Sequence, residues 1–143
     1  MTTVAQTPSP DRDRVRQLLL RHGITPTGQR LKVAHLLFAC DQHLTADQVI
    51  GALRAAGARV SKATVYNTLN LFAEKGLLKA LNFDPTRCSF DSNTAPHFHF
   101  HDVETGELID VAPADVEFAR LPALPAGMES LGVEVVFRVR RKT

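Results

Sequence analysis

VSKATVYNTLNLFAEKGLLK, residues 60–79, reads as one capped helix running into a strand. Ser61 is a capping residue and Gly76 a stop, and between them Val65, Leu69, Phe72 and Ala73 recur at helical spacing. That stripe predicts a helix over 62–75 that packs by one side. Ala63, Tyr66, Asn67 and Asn70 fall on another face, with Lys62 at its edge. Tyrosine, asparagine and lysine around the first turns of a short helix are side chains that reach base edges and phosphates in a major groove. A merely solvated face is the ordinary alternative, so the flanking segments have to decide.

Upstream, Pro10 and Asp11 start a helix through Val15, Leu18 and Leu19 that stops at Gly23. Residues 1–10 read as a short flexible leader, with no order of charges and apolar residues that would make a signal peptide. After the break at Ile24-Thr25-Pro26, Thr27 caps a second helix, GQRLKVAHLLFAC, over 28–40. A third begins at Thr45, where T-A-D-Q has the capping-box form and Gln48 is the return partner; Gly57 ends it. Downstream of Gly76, LLKALNF and CSF predict a hairpin about Asp84–Arg87. Three helices, a recognition helix and a hairpin make a winged helix-turn-helix. Charge agrees: residues 1–82 carry eleven Lys and Arg against five Asp and Glu, whereas 83–143 carry six against ten. A basic first half suits an anionic partner, and an acidic, histidine-bearing second half suits a cation.

That second half opens with FDSNTAPHFHFHDVETGELIDV, residues 90–111. His97, His99 and His101 alternate with Phe98 and Phe100, so a strand presents three imidazoles on one face and two rings on the other. Asp91 precedes them, and Asp110 follows a Thr105-Gly106 turn. Imidazole and carboxylate without thiolate suit a divalent first-row metal, Fe²⁺, Mn²⁺ or Zn²⁺. Cys40 and Cys88 are isolated and form neither a C-x-x-C pair nor a disulfide framework, which fits a reducing cytoplasm. No apolar run approaches the roughly 18 residues of a membrane span.

With ATVYNTLN (63–70), ITPTGQRLKVAHLLF, HLTADQV, FDSN followed by HFHFH, and GELIDV all present, the chain resembles the ferric uptake regulator family of metal-dependent repressors. The resemblance implies an α+β protein: a winged-helix DNA-binding domain over 11–91 and a small α/β dimerisation and metal-sensing domain over 92–143. It implies a five-ligand site at His43, Asp91, His97, His99 and Asp110, spaced as in the peroxide-sensing branch, where bound Fe²⁺ reacts with peroxide and DNA is released. The tail from LPALPAG looks more like the iron-response branch. The implied DNA contacts are Arg30, Lys62, Thr64, Tyr66, Asn67 and Asn70, on a palindromic AT-rich operator bound by a homodimer. A structural zinc on four cysteines is impossible, because Asp102 and Thr105 stand where the first pair belongs. A second metal site is expected to be incomplete, with Glu117 present but Val133 where a histidine belongs. Haem, if it binds, falls to His97, His99 and His101.

Each proposed ligand has an ordinary alternative. His43 can be a loop histidine beside a helix, Asp91 can close the hairpin, and Asp110 can cap the segment before Pro113. Two other functions are open: a haem-responsive regulator, and a small non-haem metalloenzyme with His97, His99 and a carboxylate as a facial triad. The enzyme leaves the basic half unexplained, so a regulator without catalysis is expected. Beyond Asp110 the pattern predicts a short helix after Pro113, a Pro-rich loop, and a strand with Val133, Val135, Phe137 and Val139 on one face.

Overall fold

The computed structural model describes residues 8–143, with side chains from Arg12 onward, and it forms two compact units that meet between Thr94 and Ala95. The first seven residues of the expected leader lie outside the described residues. Helix α1 spans Pro8–Arg21, so helical structure begins two residues before the expected Pro10.

In the first unit, α2 (Gly28–Leu37) starts where Thr27 Oγ1 accepts the Arg30 amide. It ends three residues earlier than its apolar pattern suggests. Phe38 leaves the helical region at φ −98°, ψ 11°, and its ring turns onto Phe72 at 6.2 Å. A strand that the sequence reading lacked, β1 (His43–Thr45), follows. Helix α3 (Ala46–Ala55) carries the expected capping box: Thr45 Oγ1 accepts the Gln48 amide and Gln48 Oε1 accepts the Thr45 amide. Helix α4 (Lys62–Glu74) starts at Ser61, whose Oγ accepts the Thr64 amide, and stops at Gly76 with φ +80°, where a Cβ would be strained.

Strands β2 (Lys79–Asp84) and β3 (Arg87–Asp91) form the wing, and the sheet order is β1-β3-β2. The core lies between the helices: Leu19, Val33, Leu37, Val49, Val65, Leu69 and Phe72 have no exposed surface. On α4 the fourth inward position is Thr68 rather than Ala73. Burying a side chain the size of Phe72 contributes roughly 1.5–3 kcal/mol.

The second unit is a sheet ordered β5-β4-β6, with β4 at Phe98–Asp102, β5 at Leu108–Val111 and β6 at Val136–Val139. Strand β6 pairs with β4 in parallel, at the end of a 24-residue connection. The helix expected after Pro113 is only a 3₁₀ turn, Pro113–Asp115. Ala112 offers no capping side chain, and Val116 is already extended at φ −125°. With Pro122 ahead, an uncapped helix there would be too short to persist. The last strand is also shorter than expected; Val133 and Phe137 are exposed while Val136 and Val139 are half-buried. Among the described residues, Val111 is the one buried hydrophobic of this unit. No helix among them is long and apolar enough to cross a membrane.

Candidate metal centre and nucleic-acid face

Each unit presents an imidazole beside a carboxylate. In the first, β1 and β3 run antiparallel with His43 directly opposite Asp91, so both side chains leave the same face of the sheet. Asp91 is fully buried, and its Oδ1 accepts the Asn93 amide at 2.9 Å. The strand is anchored by its neighbour Gln42. That side chain donates to the carbonyls of Leu36 (2.8 Å) and Leu37 (3.1 Å), two of the acceptors left open at the end of α2. The Gln42 amide also donates to Ser92 Oγ, which holds the turn after Asp91. Lys79 on β2 faces Asp91 from the other side, which sets a cation in the same row.

In the second unit, β4 and β5 place His99 directly opposite Asp110. His97 Nε2 lies 3.5 Å and His99 Nε2 3.6 Å from the same Asp110 Oδ1, and the two imidazole centroids are 4.5 Å apart. His97 Nδ1 sits 2.7 Å from the Ala95 carbonyl, which fixes the proton on Nδ1 and leaves the Nε2 lone pair toward Asp110. These separations exceed ordinary hydrogen bonds. They match donor atoms sharing one ion at about 2.0–2.2 Å each, which stand about 3–3.5 Å apart. The donor set therefore fits a divalent cation.

His101 shares that face but is buried opposite Leu108, with Arg138 as its neighbour on β6. Asp102 closes the turn where a cysteine ligand was ruled out. Its Oδ1 accepts the amides of Glu104 (2.9 Å) and Thr105 (3.1 Å). The Thr105 amide first, then that of Glu104, holds this carboxyl below its ordinary range. Both cysteines are free, and partial burial pushes the Cys88 thiol up against the smaller opposing effect of the Leu81 backbone, so at neutral pH it is protonated.

On α4, Lys62, Tyr66, Asn67 and Asn70 are exposed together, opposite the buried stripe. The other two expected DNA contacts are engaged locally: Thr64 Oγ1 accepts from the Ser61 hydroxyl at 2.8 Å, and Arg30 donates to the Thr25 carbonyl at 2.9 Å. A groove of about 610 Å³ runs between the start of α3, Tyr66 and Asn70 of α4, and Arg87 of the wing. Sequence reasoning missed two charged residues here, Asp47 in that groove and Lys79 beside Asp91. The hairpin turn at 84–87 alone would set residue 79 across from 92; the register shift between Leu81 and Asp84 moves Lys79 opposite Asp91. Asp47 had no signal, because its place depends on how α3 packs on α4.

Residues 21–135 match the model of the ferric uptake regulator family. The chain is 33% identical over 127 residues to the ferric uptake regulation protein of Pseudomonas aeruginosa, covering 87% of this chain and 95% of that protein. It is 33% identical over 92 residues to the peroxide-responsive repressor of Staphylococcus epidermidis, a match to 64% of this chain and only 61% of the relative's length. The solved structure of the Pseudomonas aeruginosa ferric uptake regulator with manganese superposes with a TM-score of 0.71 at 30% identity, over 90% of this chain and 98% of that one.

Proposed function

The chain belongs to the ferric uptake regulator family, and from that premise we propose that it is a cytoplasmic, dimeric repressor whose hold on DNA depends on a divalent metal. The observation that carries the reading is the donor arrangement: His43 opposite Asp91 in one unit, His97 and His99 converging on Asp110 in the other. We assign all five to one cation. When bound, it supplies positive charge to two carboxylates.

The chain's own residues prepare for this. Gln42 and Ser92 fix the strand and turn that hold His43 and Asp91, and the Ala95 carbonyl fixes the His97 tautomer. Lys79 stands opposite Asp91 across β2 and β3, which sets a cation in the row of that carboxylate. Coupling to DNA follows from differential affinity: the conformation that brings the donors together binds metal better, and metal favours that conformation, typically by about 1–3 kcal/mol.

The DNA face is Lys62, Tyr66, Asn67 and Asn70, with Arg30 and Thr64 contributing at its margin. The operator is a palindromic AT-rich duplex, read by two copies on successive half-sites. The domain limits are taken as 11–91 and 92–143. Among metals we favour Mn²⁺ or Fe²⁺, because five N/O donors exceed what tetrahedral zinc requires. A relative solved with manganese points the same way. Haem draws less support, since His99 and His101 are both buried.

A mobility-shift titration tests the reading. Retardation of an AT-rich palindrome is expected with Mn²⁺ or Fe²⁺ and is expected to weaken at least about fivefold with chelator. Equal retardation in all conditions would refute metal control.

A further inference from the structure

Among the described residues, Tyr66 is the one aromatic side chain on the exposed face of α4, and its hydroxyl is directed at a carboxylate of another helix. Tyr66 Oη lies 3.5 Å from Oδ1 of Asp47, in the first turn of α3. Both line the groove between α3, α4 and the wing, where Asp47 is the only acid and Arg87 the only base among the lining residues. An acid on a phosphate-facing surface lowers affinity for every duplex alike. Its presence beside the base-reading aromatic therefore needs another physical role.

We propose that Asp47 is a positioning residue for sequence readout: it restrains the Tyr66 ring so that its edge meets one kind of base pair. Tyr66 is 40% exposed, so packing encloses only part of its ring. The Asp47 carboxylate is itself held, being at the N-terminal end of α3 where the helix dipole favours an anion and the capping box fixes the backbone. The restraint helps only duplexes whose bases suit the fixed ring, such as one presenting a thymine methyl, whereas the repulsion applies to all. Asp47 thus lowers general affinity and raises discrimination. This inference rests on the reading of α4 as the DNA-contacting helix.

The experiment uses the full chain loaded with Mn²⁺ and two labelled duplexes: one selected from a random pool by the wild-type protein, and a scrambled duplex of the same composition. Asp47→Ala is expected to bind the scrambled duplex more tightly while its ratio of selected to scrambled affinity falls about threefold, the scale of one modest hydrogen bond. Tyr66→Phe loses a similar part of the ratio without gaining general affinity, and the double variant loses no more than either single one. Asp47→Asn keeps an acceptor oxygen and retains most of the ratio. Should Asp47→Ala fail to fold, Tyr66→Phe and Asp47→Asn carry the comparison. An unchanged ratio in Tyr66→Phe, an equal gain on both duplexes in Asp47→Ala, or losses that multiply in the double variant overturns the positioning role alone. A wild-type protein that selects no duplex at all removes the DNA-binding reading, and this one with it.

Discussion

Asp110 is the donor most open to a clean test at the scale of single residues. Its side chain is 43% exposed, and the imidazoles of His97 and His99 lie within 3.6 Å of one of its oxygens. Asp110→Asn keeps shape and removes charge. We expect metal-free stability to change by less than about 0.5 kcal/mol, read by thermal melting. Mn²⁺ affinity should fall at least about tenfold, read by titration; unchanged affinity would remove Asp110 from the ligand set. The alternation His97-Phe98-His99 made the cluster around Asp110 legible, because a strand's period of two puts both imidazoles on one face whatever the rest of the chain does. The His43–Asp91 pair was not legible from spacing, since it exists only through the pairing of two strands 48 positions apart in register. Arg30 and Thr64 differ for a related reason: short-range partners at Thr25 and Ser61 compete for polar groups that the sequence leaves unassigned.

At the scale of elements, the turn after β4 has a pH dependence of defined sign. The folded Asp102 carboxyl is held below its ordinary range by the amides of Thr105 and Glu104, so ionisation stabilises the turn. That stabilisation is complete above the unfolded carboxylate range and is lost as pH falls through the lower folded value. Amide exchange at Glu104 and Thr105 should therefore accelerate, relative to other turn amides, when pH is lowered below the ordinary carboxylate range. Asp102→Asn should remove the pH dependence. Helices α3 and α4 were readable because their caps are local, with Thr45–Gln48 and Ser61–Thr64 each spanning three residues. Strand β1 and the parallel pairing of β6 depend on partners far away. The segment after Pro113 read as a helix from its composition, but Ala112 supplies no cap and Val116 breaks away.

For the whole molecule, the contrast between the units carries the consequence. The first buries a continuous apolar core, whereas the second buries one hydrophobic residue among those described and exposes Phe100, Ile109 and Phe137. About 50 residues without metal or disulfide rarely hold together unaided, so the proposed second copy has an evident apolar face to cover. The Phe100 and Phe137 rings stand 5.5 Å apart on adjacent strands. Phe137→Asp should weaken the dimer at least about tenfold, on the scale of losing one buried aromatic per protomer, as measured by sizing with light scattering across concentration. A dimer that persists unchanged at nanomolar protein would place the interface elsewhere.

The parallel register of β4 and β6 also sets an order of events during synthesis. Strand β4 is complete at Asp102, yet it cannot gain its second neighbour until residues 136–139 have left the ribosome. Every residue of the wing and of α4 precedes Thr94, and domains fold as units in N-to-C order. A nascent chain therefore owns a finished winged-helix unit well before the sheet that carries His99 and Asp110 is complete. Newly made molecules pass through an interval in which the proposed DNA face is folded and the proposed cation ligands of the second unit are not yet all in place.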